Sequence, residues 1–338
     1  MLKNTLMKID RFLPFLIMCL LFVASLTFLV YSFSATNDQL YSTTEHKVSN
    51  NIFLQPKLSY TPHAPILIDG DADFITQSSA NGWDLSGSRD GSSVANAFVI
   101  QGLSISDPTG LQNLIEIRNS DLFFEITNCK LVNGSIGILL YNTANGIVST
   151  NYIGNNSVDG ITFNNGVNIN VSDNSLIYNQ VNAVHMYNVS SNLNIINNSI
   201  DFNTLGALVV NSHHNTLSGN IFNETNSYAI KFTDTTSNNQ FLCNIVLNAE
   251  PGTSSYGYDD GSHNDIGNNY WPNWSGSGNY LIDGSSSNAD HHPYSTPNDI
   301  TPGCVFTPTT SPGFESYVTL FFLATCGALI VYRRKSTD

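Results

Sequence analysis

The chain has 338 residues, of which 41% are hydrophobic, and a formal net charge of −14 at neutral pH. Between residues 36 and 311, six Lys and Arg side chains stand against 23 Asp and Glu side chains. This acidic balance disfavours nucleic acid and other polyanions as partners, and no nucleic-acid partner is predicted.

A basic segment and a long apolar run from Phe12 to about Val30 open the chain. This order is typical of a signal peptide over residues 1–35, or of an uncleaved membrane anchor if the apolar run is retained. Both alternatives predict an exported protein. Residues 36–61 have no periodicity and are expected to form a polar spacer.

Residues 62–105 are expected to form an N-terminal cap and the first coil, because a stack of repeats otherwise exposes unpaired strand edges at its first unit. Asp69, Asp71 and Asp73 alternate in this segment, and several carboxylates together could bind Ca²⁺. Phe74, however, occupies the position of the glycine in an EF-hand loop. An acidic turn is the simpler interpretation, so no cofactor is predicted and Ca²⁺ stays an alternative.

Residues 106–266 repeat with a period of 22 to 25 residues. Each repeat contains three short apolar pulses, separated by turns rich in Asn, Gly and Ser that tolerate left-handed backbone. Stacked strands of this kind predict an all-β fold, a right-handed parallel β-helix of about seven coils. A small residue followed by an apolar-x-apolar pattern marks each coil, at Gly137, Gly160, Ala183, Ala207 and Ala229.

One asparagine per period marks a second register. Stacked at one corner of the coils, these side chains could form a ladder in which each amide bonds to the amides above and below. Solvated turn asparagines are the alternative. The proposed ladder consists of Asn128, Asn151, Asn174, Asn198, Asn220 and Asn244, and Asn269 continues the alignment.

An aromatic segment over residues 267–297 is expected to close the stack. Its rings, with those just before it, either plug the last coil or offer flat faces to sugars. The candidate carbohydrate-binding residues are Tyr258, Tyr270, Trp271, Trp274 and Tyr280. The best local group of titratable side chains lies in the same region, and its weak catalytic candidates are Asp259, Asp260, His263 and Asp265.

A Pro/Thr/Ser stalk over residues 298–315, which contains Pro312-Gly313-Phe314, is followed by an apolar run over residues 316–335 with a basic end. A basic end stays in the cytoplasm. This arrangement predicts a C-terminal transmembrane helix that anchors the β-helix on the outer face of the cell membrane. Seven sequons suit a surface glycoprotein, at Asn133, Asn155, Asn170, Asn188, Asn197, Asn223 and Asn273.

Two cysteines of the body, Cys129 and Cys243, lie beside aligned asparagines of coils five repeats apart. At ~4.8 Å per coil they are ~24 Å apart, too far for a disulfide. The sequence therefore predicts that both are buried thiols.

These coils resemble the right-handed β-helix repeats of pectate lyases, polygalacturonases and the carbohydrate-binding and sugar-hydrolase (CASH) group, and most of all the NosD-type family. GNNYWPNWSGSGNYLIDGSSSNADHHPY, from Gly267 to Tyr294, is similar to the end of that family. HAPILIDGDADF, from His63 to Phe74, is similar to the first segment of its archaeal surface members. The PGF-containing tail resembles the sorting tails of archaeal surface proteins, which archaeosortase-like enzymes process.

The resemblance implies the fold but no single activity, because the same fold carries lyases, hydrolases and scaffolds. We expect a non-catalytic module that binds carbohydrate, other envelope polymers or surface proteins, since a regular stack comes without a catalytic signature. A polysaccharide lyase or glycoside hydrolase is one alternative, with Asp259-Asp260 as the lone acidic pair. The NosD-type resemblance implies another, copper-site maturation, for which the soft ligands would be Met186 with His185, His213-His214 and His291-His292.

Overall fold

The structure, a computed structural model, describes residues 59–188, 191–248, 252 and 255–300. The predicted signal or anchor segment, nearly all of the spacer and of the stalk, and the C-terminal apolar run lie outside these residues. Within the described part, no helix is long and apolar enough to cross a membrane.

Short strands wind into a parallel β-helix of about seven coils, as the repeat period predicts. The strands are β1 (Thr61–His63), β2 (Ile66–Asp69), β3 (Phe98–Gln101), β4 (Leu103–Ser106), β5 (Ile115–Ser120), β6 (Phe124–Thr127), β7 (Lys130–Val132), β8 (Ile138–Ala144), β9 (Gly146–Ser149), β10 (Tyr152–Gly154), β11 (Ile161–Ser172), β12 (Ser175–Ile177), β13 (Asn182–Tyr187), β14 (Ser191–Ile196), β15 (Ser199–Asp201), β16 (Leu205–Val210), β17 (Thr216–Ser218), β18 (Ile221–Asn223), β19 (Ile230–Phe232), β20 (Gln240–Leu242), β21 (Ile245–Val246), β22 (Gly257–Asp259), β23 (Asp265–Gly267), β24 (Tyr280–Leu281) and β25 (Ala289–Asp290).

Three walls enclose the core. Wall 1 contains β2, β5, β8, the first half of β11, β13, β16, β19 and β22, and wall 2 contains β3, β6, β9, the second half of β11, β14, β17, β20 and β23. Wall 3 contains β1, β4, β7, β10, β12, β15, β18 and β21. Strands within each wall pair in parallel, whereas β24 and β25 form a separate antiparallel pair.

The core consists of straight rows of side chains, because equivalent residues of successive coils pair in register. One row of wall 1 is fully buried and contains Ile115, Ile138, Ile161, Val184, Ala207 and Ile230. Ala207 therefore aligns with Val184 rather than with Ala183. The sequence alignment was wrong by one residue in this coil, where Gly206 takes the small-residue position. A Cβ there would clash with the carbonyl oxygen of Ala229.

Helix α1 (Asp71–Asn81) covers the first coils. Asp71 and Asp73 lie in its first turn, where carboxylates interact favourably with the helix dipole, and the helix ends at Gly82 in the left-handed conformation. Phe74 on its inner side is fully buried against Phe98, with ring centroids 5.1 Å apart. The predicted acidic turn is thus the start of a helix.

The two cysteines differ. Cys129 is a free thiol, fully buried, and burial raises its pKa to about 11. Cys243 is disulfide-bonded, so the prediction of a buried thiol is wrong at this position. The spacing argument excluded only a bond between Cys129 and Cys243.

Candidate functional site

Buried asparagines form a continuous ladder at the corner between walls 2 and 3. In each rung the backbone N–H and the Nδ2 of one asparagine donate to the Oδ1 of the next, at 2.9 and 3.0 Å between Asn151 and Asn174. The Nδ2 also donates to a carbonyl of the preceding coil, as Asn174 does to Val148 at 2.9 Å. The same pattern continues through Asn198, Asn220, Asn244 and Asn269.

Asn128 is not part of this ladder. The residue before each rung has a positive φ, and Asn128 (φ 51°) takes this left-handed position while Cys129 takes the rung. Accordingly, the N–H of Cys129 donates to the Oδ1 of Asn151 at 2.9 Å. The assignment of Asn128 was wrong because asparagine suits both positions, one for its left-handed backbone and the other for its amide.

Two further ladders were missed. One lies at the corner after wall 3 and links Asn156, Asn179 and Asn203. The other lies at the start of wall 2 and links Asn215, Asn239 and Asn264. The first could have been found from a second asparagine that follows three successive main rungs by five residues, as Asn156 follows Asn151.

Buried carboxylates end two of the ladders. Asp290, fully buried, accepts hydrogen bonds from the N–H and Nδ2 of Asn269 and from Nε1 of Trp271. Asp259, also fully buried, accepts from Nδ2 of Asn264 and Nδ2 of Asn288, both at 2.9 Å. A carboxylate enclosed in this way has no free face for a substrate.

An exposed pair of aromatic rings lies at the corner after wall 3, which we call the aromatic corner (Tyr178 and Phe202). The rings stack with centroids 4.8 Å apart and 18° between their planes, and the residues are 49% and 41% exposed. Both residues have left-handed backbone, with φ of 57° and 55°. Other coils place asparagine or glutamate at this corner: Asn133, Asn155 and Glu224.

Polar groups surround the aromatic corner on the outer face of wall 3. Ser199 donates its hydroxyl to Oδ2 of Asp201 at 2.6 Å, and burial raises the pKa of Asp201 above its ordinary value. Tyr152 lies on the same face, and burial, together with Tyr178, raises its pKa. The corner was missed because bulky residues are rare in left-handed backbone, so the sequence pattern gives no reason to place rings there.

A histidine–carboxylate pair lies on wall 1. Nδ1 of His185 is 3.1 Å from Oδ2 of Asp159, and Asp159 is 2% exposed. Thr162 donates its hydroxyl to the same Oδ2 at 2.8 Å, and Asn182 donates from its N–H and Nδ2 to Oδ1. The two residues are 26 positions apart, and no sequence signal links them.

A family model described as "Right handed beta helix region" matches residues 66–246 and 113–292, which together span most of the chain. The chain belongs to the right-handed β-helix family. No curated protein matches it. Among solved structures it is similar to an alginate lyase from Paenibacillus sp. strain FPU-7, with a TM-score of 0.41 and 11% identity over 61% of this chain and 75% of that one.

In this right-handed β-helix the predicted aromatic candidates do not form one surface. Trp271 and Tyr280 are buried and stacked, with centroids 4.5 Å apart, and they plug the last coil together with Phe241. Tyr258 is half-buried and lies under Nζ of Lys231, 5.0 Å from the ring centroid. The remaining candidates, Tyr270 and Trp274, are half-buried.

The weak catalytic candidates are also separated. Asp259 is enclosed as described above, whereas Asp260 is half-buried and accepts the Tyr258 hydroxyl at 2.7 Å. That hydrogen bond and the N–H of Ser285 lower the pKa of Asp260. His263 and Asp265 are exposed.

The three aspartates of the N-terminal segment each have a protein donor. Asn119 donates to Asp69, Ser120 donates to Asp71, and the N–H of Asp69 donates to Asp73. Within the described ranges, no group of three or more His, Cys, Asp or Glu side chains is placed to hold a metal ion.

All seven sequon asparagines reach the surface and lie outside the buried ladders. Those that are exposed are Asn133, Asn155, Asn170, Asn197 and Asn273, and those that are half-buried are Asn188 and Asn223.

Proposed function

We propose that this β-helix is a cell-surface module that binds a polysaccharide at the aromatic corner without cleaving its glycosidic bonds. The observation that carries the proposal is the exposed ring stack of Tyr178 and Phe202, at a corner where other coils place asparagine or glutamate. Left-handed backbone costs ~1–2 kcal/mol for a residue with a Cβ, and the ring stack returns ~0.5–1.5 kcal/mol. The other coils turn this corner in the same backbone with Asn133, Asn155 and Glu224, so the two exposed rings are best explained by what they contact outside the chain.

The chemistry of the corner suits a neutral sugar. A pyranose packs its C–H face on an aromatic ring and pairs its hydroxyls with nearby polar groups, here Ser199 and Asp201. The carboxylate of Asp201 and the acidic balance of the body oppose a polyanionic chain. A linear polymer can in addition follow the straight rows of side chains that the stacked coils present.

The surface location rests on the sequence pattern. A basic-apolar segment at the start, a PGF-containing stalk and an apolar run with a basic end support export and anchoring on the outer face of the membrane. We place the protein with the archaeal surface members of the NosD-type and CASH-type β-helices on the same grounds. Surface-exposed sequons such as Asn133 and Asn155 are consistent with a glycoprotein.

Copper-site maturation is less well supported by the geometry. Met186 is fully buried, whereas His185 next to it lies half-buried on the outer face of wall 1. Neighbouring residues of a strand point to opposite faces, so these two side chains cannot share one metal ion.

The test is binding of the full chain to a panel of neutral and acidic polysaccharides, with reducing ends measured in the same samples. The variant Tyr178→Asn/Phe202→Asn replaces both rings by the residue that other coils use at this corner. Tyr141→Asn is the matched control, because Tyr141 is 44% exposed on wall 1, away from the corner. We expect a neutral glycan to bind the wild type and the control, with affinity at least tenfold lower for the double variant.

New reducing ends in the wild-type samples, or equal affinity of the double variant and the wild type, would contradict the proposal.

A further inference from the structure

The pair formed by His185 and Asp159 has the geometry of a proton-transfer site. Burial raises the pKa of Asp159, but hydrogen bonds from His185 and Thr162 outweigh it, so that the pKa lies below its ordinary value. Asp159 is therefore a carboxylate at neutral pH and can only accept hydrogen bonds. In the neutral imidazole, Nδ1 therefore carries the proton that faces Asp159 and Nε2 carries the lone pair.

The imidazole is accessible from outside. The side chain of His185 is 27% exposed, while its strand neighbours Val184 and Met186 are fully buried. His185 thus projects from the outer face of wall 1, with Asp159 beneath it. The positions equivalent to Asp159 in the adjoining coils hold Ile136 and Asn182, so the carboxylate belongs to this coil and is not part of the repeat.

We propose that His185 is a general base that activates water for hydrolysis of an acyl ester carried by a neutral saccharide, with Asp159 as its positioning residue. Nε2 takes a proton from water as the water oxygen bonds to the acyl carbon. The bond between that carbon and the sugar oxygen then breaks, and the imidazolium returns its proton to the leaving sugar oxygen. The products are a carboxylic acid and a free sugar hydroxyl, and no oxidant or metal takes part.

The neighbours of His185 favour ester hydrolysis over cleavage of the polymer. Thr162 and Leu208 pair with it on the adjacent strands, and Asn164 and Tyr187 lie one outward position further along. None of these is a carboxylate, so the two-carboxylate mechanism of glycoside hydrolysis has no second group here. The Asn164 amide and the Tyr187 hydroxyl are instead donors of the kind that stabilise the oxyanion of an ester intermediate.

The charges around the pair also oppose elimination from a uronate. Such a reaction needs a cation at the carboxylate next to the base, and Lys231 lies two strands beyond His185 in the same outward row. At ~4.8 Å per strand this separation is ~9.6 Å. Nζ of Lys231 is moreover directed at the Tyr258 ring. Lys231 also interacts electrostatically with Asp260.

The saccharide part of the inference rests on the proposed function, and the ester chemistry does not. We would therefore measure hydrolysis of p-nitrophenyl acetate, which needs no glycan binding, and acetate release from an O-acetylated neutral glycan. Both assays use the full chain with His185→Gln, and with His213→Gln as the matched histidine control. His213 lies on another coil, with Nδ1 2.8 Å from the Ser237 hydroxyl.

We expect the wild type and His213→Gln to hydrolyse both esters. His185→Gln should be at least ~10²-fold slower, the usual contribution of a general base. Equal rates for His185→Gln and the wild type, or no ester hydrolysis by the wild type, would overturn the inference. If the protein hydrolyses p-nitrophenyl acetate in a His185-dependent way but releases no acetate from the glycan, His185 is the base and the saccharide substrate is refuted.

Asp159→Asn tests the positioning role. The new amide keeps an oxygen for Asn182 but presents Nδ2–H to the imidazole, so the proton should move from Nδ1 to Nε2 of His185. Nitrogen-15 chemical shifts of the imidazole report this change, and the ester rate should fall with it. A changed tautomer with an unchanged rate would show that Asp159 only supports the fold.

Discussion

Asn198→Ala is the most informative test of the main asparagine ladder, because Asn198 is a central rung. Its Nδ2 donates to the carbonyls of Val171 and Ile196 at 3.0 and 3.1 Å, and to Oδ1 of Asn220 at 3.0 Å. Its Oδ1 accepts the N–H of Asn174 at 3.0 Å. Alanine at this position removes all of these bonds in a site that is 1% exposed.

The magnitude follows from the groups that lose partners. The N–H of Asn174 loses its acceptor in a buried site, which costs ~1–3 kcal/mol, and each of the three donated bonds contributes ~0.5–1.5 kcal/mol. Because Nδ2 has two hydrogens for these three acceptors, the three contributions do not add in full, and we expect the free energy of unfolding to fall by ~3–5 kcal/mol. Loss of a central rung also weakens the contact between two coils, on which a stack of repeats depends.

Urea unfolding of the full chain, followed by circular dichroism, measures this change. Asn170→Ala is the control, because Asn170 is exposed on β11 and its Oδ1 accepts a single bond from Asn194 at 2.8 Å. A surface substitution of this kind should change the free energy of unfolding by less than ~0.5 kcal/mol. If Asn198→Ala is no more destabilising than Asn170→Ala, the ladder does not stabilise the fold and our reasoning is wrong.

Three further changes test other parts of the structure. Cys129→Asn should raise the free energy of unfolding by ~1 kcal/mol, because it adds one amide rung to the ladder. A lower urea midpoint would contradict the assignment of Cys129 to the rung position. The Thr109 hydroxyl and the Gln112 N–H lower the pKa of Asp107 to about 2. The ionised Asp107 therefore stabilises the folded state above pH ~4, and this stabilisation is lost as the pH falls towards 2. Asp107→Asn should make the free energy of unfolding less dependent on pH in that window, and an unaltered acid transition would refute this. Tyr178→Asn/Phe202→Asn should shift the free energy of unfolding by less than ~1 kcal/mol, since relief of backbone strain offsets the lost stack; a larger loss would make the rings structural.

The β-helix could be predicted from the sequence because stacking requires coils of nearly equal length, and this leaves a period in the chain. The individual rungs were harder to place. Asn197 and Asn198 are adjacent, yet Asn197 has left-handed backbone and is exposed, while Asn198 is buried. In the coil of Asn128 the asparagine takes the left-handed position instead, and composition alone cannot distinguish the two.

The two surface sites could not be predicted from the sequence for a different reason. No sequence pattern marks Tyr178 and Phe202, and only the backbone conformation shows that they turn a corner. Asp159 and His185 are 26 residues apart, and only the stacking of coils brings them together. The aromatic segment near the C-terminus was expected either to plug the coil or to bind sugar, and burial of Trp271 supports the plug.

Calorimetric titration of a neutral polysaccharide into the full chain and into Tyr178→Asn/Phe202→Asn tests the central proposal most directly. We predict measurable binding to the wild type and at least tenfold weaker binding to the double variant, with the two proteins unfolding at similar urea concentrations. Equal binding by two equally stable proteins would show that the aromatic corner is not the binding site.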